Sequence, residues 1–139
     1  MKFKFRLEKV LRVRRLEEDQ TRHRLLHRQQ ELREAEEHLQ SLQVQRQDVV
    51  AFGHSQPDVQ LRAAMYKYLE RLDGRIDRQR QVVSDRQEKL AQAKAQWLAA
   101  RQRREVLENL REKRYDEYRL EQQRAEQKSL DEMGSRVRA

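Results

Sequence analysis

Cysteine is absent from the chain, which excludes a disulfide framework and thiol chemistry and suits a reducing compartment. One proline and three glycines leave few places where 139 residues could turn. Aromatic residues make up 6%, too few for the stacking platforms of single-strand nucleic-acid binders. No apolar run approaches the roughly 20 residues that span a bilayer. The first residues also lack the apolar segment of a signal peptide, so a soluble intracellular protein is expected. What remains is a chain that is 40% charged and 36% hydrophobic, which cannot enclose a large globular core.

The apolar residues that are present are ordered. Leu69, Ile76, Val83, Leu90 and Trp97 recur every seven positions, and Met65, Leu72, Gln79, Arg86, Ala93 and Ala100 interleave with them in steps of three and four. This is the period at which a helix keeps one narrow stripe toward one partner. A similar seam runs earlier, through Leu7, Leu11, Arg14, Glu18, Thr21, Leu25, Arg28, Leu32, Ala35, Leu39, Leu42, Arg46 and Val49. Sustained heptads and strong helix formers argue against disorder. The expected fold is all-α: two long helices forming an antiparallel coiled-coil hairpin, the second overhanging at the C-terminus. As one domain over 1–139 it comprises a helix over 3–50, a turn over 52–58, a helix over 59–132 and a short tail over 133–139.

Within the turn, Gly53 is expected to take the left-handed conformation that ends a helix, and Ser55 to cap the next one. Laying the seams together around it sets Leu42 opposite Leu69, Leu32 opposite Gln79 and Leu25 opposite Arg86. The first arm then runs out with Lys4 opposite Leu107, leaving Glu108–Glu132 without an intramolecular partner. Gly74, inside the second helix, is either a tolerated weak spot or a place of close approach.

The net charge is +8, and most of it sits at one end: Met1–Arg15 holds seven basic residues against Glu8, a local 7 − 1 = +6. Three classes of function compete. His23 and His27 are four apart on one helical face, but without further ligands they read as surface histidines rather than a zinc pair. Paired carboxylates such as Glu17-Glu18 have no pocket to shift them, so no catalytic residue, metal or cofactor is expected and the chain reads as a non-enzyme. A basic nucleic-acid-binding coiled coil is the rival to a protein-binding scaffold, yet 24 acidic residues interrupt any continuous basic stripe. A third possibility is a rod that dimerises through its overhang.

Several stretches bear a family likeness. Phe3-Lys4-Phe5-Arg6-Leu7-Glu8-Lys9-Val10-Leu11 resembles the start of many FliJ proteins, the stalk-like component of the bacterial flagellar type III export apparatus. Ala35-Glu36-Glu37 with Leu39 and Leu42, Tyr68-Leu69-Glu70-Arg71-Leu72 with Ile76, Ala95-Gln96-Trp97, Leu107-Glu108-Asn109-Leu110 and Lys128-Ser129-Leu130-Asp131-Glu132 follow in the family's order. The resemblance implies a non-enzymatic cytoplasmic coiled coil, peripherally associated with the inner membrane at the flagellar base through the export apparatus. Its implied partners are the export ATPase ring, the cytoplasmic domain of the export gate, and substrate chaperones, with no nucleic acid. The implied ring contacts are Phe5, Leu7, Arg12, Leu110, Tyr115 and Tyr118. The implied gate contacts are His38, Leu42, Gln45, Val49, Tyr68, Leu72, Arg75 and Gln79. A stalk of a virulence-type injectisome is the close alternative.

Overall fold

A computed structural model describes residues 2–138. Two helices account for nearly all of them: α1, Glu8–His54, and α2, Val59–Arg138, paired as an antiparallel hairpin. The described residues contain no strand. Contacts divide the chain into two compact units, a terminal unit of Met1–Gln20 with Leu98–Ala139 and a hairpin unit of Thr21–Trp97.

The heptad seams are the buried surface. In the hairpin unit Leu25, Ala35, Leu42, Leu72, Ile76, Val83 and Ala93 are buried, and Leu42, Leu72 and Ile76 form a cluster against which Leu39 packs. In the terminal unit Leu11 and Ala100 are buried. The polar seam residues reach past the apolar layer to backbone oxygens. Gln79 Nε2 donates to the Ala35 carbonyl at 3.0 Å and Arg86 Nη1 to the Glu31 carbonyl at 2.7 Å. A helical carbonyl has a second lone pair free for such a bond, so a polar group in the seam is satisfied without opening the helix.

The register differs from the expected one. With Leu42 opposite Leu69, Gly53 would lie level with Asp58 and Phe3 level with Glu108. Instead a methyl added at Gly53 would meet Met65 Cε at 3.1 Å, and Phe3 packs on Tyr115. In the hairpin unit Leu42 clusters with Leu72 rather than Leu69, and Gln79 bonds to Ala35 rather than lying level with Leu32, a displacement of three residues (72 − 69 and 35 − 32), one step along the seam. A slip by one step of the three–four seam still leaves seam facing seam, so apolar pattern alone does not forbid it.

The ends of the helices also differ from expectation. Residues 2–5 are not helical, and α1 opens at Glu8, whose N–H donates to the Phe5 carbonyl at 3.1 Å. Lys2, Lys4 and Arg6 would oppose the positive end of a helix dipole, whereas Glu8 in the first turn favours it. At the turn, α1 continues through Gly53 to His54, and no described residue has a positive φ. Ser55 closes α1 rather than capping α2: its Oγ donates to the Phe52 carbonyl at 2.7 Å. The cap of α2 is Asp58, whose carboxylate accepts the Gln60 N–H at 2.9 Å while its carbonyl accepts Arg62 N–H at 3.0 Å. Pro57 stands outside both helices, where its missing N–H costs nothing. At the other end α2 continues through Gly134 to Arg138.

Gly74 has nothing within 4 Å of where a Cβ would stand, so it is a weak spot and not a close approach. Gly74→Ala should therefore stabilise the hairpin by about 0.5–1 kcal/mol, read as a higher melting midpoint in circular dichroism. An unchanged or lower midpoint contradicts this account of the site.

Candidate functional site

The terminal unit is built from an alternating segment. Lys2, Lys4 and Arg6 are exposed, while Phe3, Phe5 and Leu7 are half-buried. Residues 2–5 are irregular and 6–7 form a turn, and the segment lines one groove with Leu110, Arg114, Glu117, Tyr118 and Glu121 of α2. Phe3 anchors the segment. Its ring lies 5.3 Å from Tyr115 at 73° and 5.5 Å from Tyr118, and the Arg111 guanidinium sits 5.7 Å from its centroid. Edge-on aromatic pairs of this kind contribute about 0.5–1.5 kcal/mol each beyond burial.

Ion pairs continue the pairing into the first turns of α1. Arg111 Nε donates to Glu8 at 2.9 Å. Arg104 meets Glu18 side-on, at 2.6 and 3.1 Å, with both side chains only about one-fifth exposed. Glu108 accepts from Arg15 Nε at 2.9 Å and also from Arg15 Nη2, and lies 3.5 Å from Arg104. The Arg15 hydrogen bond, followed by the charges of Arg15 and Arg104, holds the Glu108 carboxyl below its usual range. Glu18 raises Arg104 by the same reciprocal bond. Exposed pairs contribute little singly, but here four residues share one network.

Among the residues expected to meet an ATPase ring, Phe5, Leu7, Leu110 and Tyr118 line one groove together with Phe3. Tyr115, packed on Phe3, is 41% exposed, and Arg12 is exposed. The expected free helix over Glu108–Glu132 is shorter than the sequence suggests. Glu108, Arg111, Tyr115 and Tyr118 all have partners in the N-terminal arm, as the shifted register requires. Every residue from 123 to 138 is exposed.

The hairpin unit holds the residues expected to meet an export gate, and divides them into two sets. Leu42 and Leu72 are buried in the seam and present no side chain to a partner; Gln79 is half-buried and bonded to Ala35. His38 and Arg75 are exposed. Gln45, Val49 and Tyr68 come together in an open groove with Phe52, Ala64 and Met65, where Gln45 Nε2 donates to the Tyr68 hydroxyl at 2.7 Å. Phe52 and Tyr66 are 53% and 67% exposed. Sequence reasoning assigned Phe52 to the turn and Met65 to the seam and so missed them as surface. The signal was the cluster of aromatic residues, Phe52, Tyr66 and Tyr68, bracketing the only proline.

His23 and His27 do not converge on a ligand set: His27 Nε2 lies 2.9 Å from Glu31, which Arg28 also binds. That Arg28 hydrogen bond is the main reason the Glu31 carboxyl is lowered. Among the described residues no group of three or more His, Cys, Asp or Glu could hold a metal ion, and no helix is long and apolar enough to cross a membrane.

The division of the gate-facing set has a direct test. Leu72→Ala should cost about 2–5 kcal/mol of stability by opening a cavity in the seam, whereas Tyr68→Ala, on the surface, should stay within roughly 1 kcal/mol of the parent. Urea melts compare the two, and similar losses would contradict the division. A second test uses pH. A carboxyl lowered in the folded state adds stability above its unfolded value and loses it as pH falls through the folded one. The melting difference between the parent and Glu108→Gln should therefore be full at neutral pH, begin to shrink near the ordinary glutamate value of about 4.3, and vanish only below the lowered folded-state value. A difference independent of pH would mean that Glu108 acts by packing alone.

A family model described as "Flagellar FliJ protein" matches residues 3–138. No curated protein and no solved structure matches the chain.

Proposed function

We propose, on the premise that the chain belongs to the flagellar FliJ family and is thereby a component of the flagellar protein export apparatus, that it is the coiled-coil stalk which associates with the export ATPase ring. In this reading it links the ring to the cytoplasmic domain of the membrane export gate and helps deliver substrate chaperones. It works in the cytoplasm without catalysis, and reaches the inner membrane peripherally, through the apparatus.

The observation that carries this reading is the exposed end of α2, residues 123–138. An isolated helix of that length is marginal in water. Leu130, Met133 and Val137 nevertheless form a stripe along it, each at least 60% exposed. A helix kept apolar on one side where its own chain offers no cover suits a partner that encloses it. Next to it stand Phe5, Leu7, Leu110, Tyr115 and Tyr118 as ring-facing candidates, with Arg12 on the outer face. The gate is met through His38, Gln45, Val49, Tyr68 and Arg75. Leu42, Leu72 and Gln79 hold that surface in shape from behind.

The test is ATP hydrolysis by the cognate export ATPase with the full chain, with a chain ending at Gln122, and with Tyr68→Ala. The full chain should raise the rate and the shortened one should not. Tyr68→Ala should keep the stimulation but lose retention by the gate's cytoplasmic domain in a pull-down. No effect of the full chain on hydrolysis removes the stalk reading. Equal stimulation by the shortened chain moves the ring contact away from 123–138.

A further inference from the structure

In the terminal unit nearly every acid near the start of α1 is already engaged: Glu8 by Arg111, Glu17 by Arg14 and Glu18 by Arg104. Five cations of the same region are not. Lys2, Lys4, Arg6, Lys9 and Arg12 are exposed and form no ion pair among the described residues. The contrast matters because arginines a turn away, Arg14 and Arg15, do find carboxylates. Lys2, Lys4 and Arg6 share their groove with Glu117 and Glu121 without pairing to either, while Lys9 and Arg12 stand exposed on α1.

Their neighbours are apolar. Lys9, Arg12, Val13 and Leu16 stand at i, i+3, i+4 and i+7, which puts them on one helical face. The seam of this helix runs through Leu7, Leu11, Arg14 and Glu18. At 100° per residue the face of Lys9–Leu16 points directly away from it. Val13 and Leu16 are 52% and 57% exposed, and Val10 beside them 41%. Phe3 and Phe5, the aromatics that could stack on bases, are instead half-buried on α2. A face with lysine and arginine rimming exposed aliphatic side chains, and no accessible aromatic, complements a surface that is anionic outside and hydrocarbon within. Nucleic acid would use the cations but leave the aliphatic groups in water.

We infer that the N-terminal segment and the outer face of the first turns of α1 form a site for an anionic lipid bilayer. Lys2, Lys4, Arg6, Lys9 and Arg12 bind phosphate headgroups there, and Val13 and Leu16 enter the interface. The contact is the chain's own and is separable from the stalk reading, since it uses neither the seam nor residues 123–138 and shares only Arg12 with the ring-facing set.

Flotation of the full chain with vesicles tests it, using phosphatidylcholine alone or an equal mixture with phosphatidylglycerol. The chain should float with the anionic vesicles only, and should be released at salt high enough to bring the Debye length to about 3 Å. Lys9→Gln with Arg12→Gln should weaken binding about fivefold per charge. Val13→Ser with Leu16→Ser should weaken it by about tenfold or more. All four positions lie off the seam, so unchanged helical circular dichroism should accompany the loss, and Val13→Ser with Leu16→Ser should leave ATPase stimulation unchanged. Failure to float with anionic vesicles overturns the site. So does binding that ignores the Val13 and Leu16 substitutions, which would reduce the contact to charge. A random-sequence DNA duplex bound through Lys9 and Arg12 while vesicles are not would assign the face to nucleic acid instead.

Discussion

Everything in this protein rests on a single narrow seam. A two-helix hairpin has no third layer, so each helix buries only its a and d positions and leaves the rest to water. Among the described residues, nine apolar side chains between Leu11 and Ala100 make up the buried core. With so little apolar area, local choices carry weight: the cap at Asp58, the closure at Ser55, and the reach of Gln79 and Arg86 to carbonyls across the seam. Such polar contacts discriminate between alignments that the apolar residues treat alike.

That division explains what could be read from the chain. The seam was legible: Leu72, Ile76, Val83, Ala93 and Ala100, picked out by spacing alone, are all buried, and Leu69, Leu90 and Trp97 are half-buried. The all-α hairpin followed from it. The alignment of the arms was not legible, because a seam of three–four steps presents a seam position again after every step. The information that picks one alignment lies in long flexible side chains such as Arg104 and Glu18, whose reach no periodicity encodes. Helix ends were misjudged for a related reason. Gly53 looks like a terminator, but it is helical where Met65 crosses close by, while residues 2–5 stay outside α1, with Phe3 held by Tyr115 and Tyr118.

The candidate surfaces were partly legible on the same terms. Tyr115, Tyr118, Leu110, Phe5 and Leu7 were picked out as unaccounted apolar groups, and four of them share a groove with Phe3. Gln45, Val49 and Tyr68 also meet, while Leu42 and Leu72 belong to the core. A heptad plot marks Leu72 as inward, and family position marks it as a contact; burial decides for the former. Phe52 escaped because a residue in a presumed turn carries no periodicity by which to judge its direction.

The spacing of the cross-helix bonds has a consequence for how the chain acquires its fold. Gln45 and Tyr68 are 23 residues apart in sequence, Arg46 and Asp73 27, Gln79 and Ala35 44, Glu18 and Arg104 86, and Glu8 and Arg111 103. Closing each wider pair directly would cost more chain entropy, whereas closing it after its inner neighbour adds only a short segment. The helices thus zip from the turn outward, and the order is set by connectivity. During synthesis Phe3 finds its ring partners only after Tyr115 and Tyr118, more than a hundred residues later, have emerged. The alignment chosen beside Pro57 is inherited by every later pair, so a slip at the turn would be carried intact to the far end.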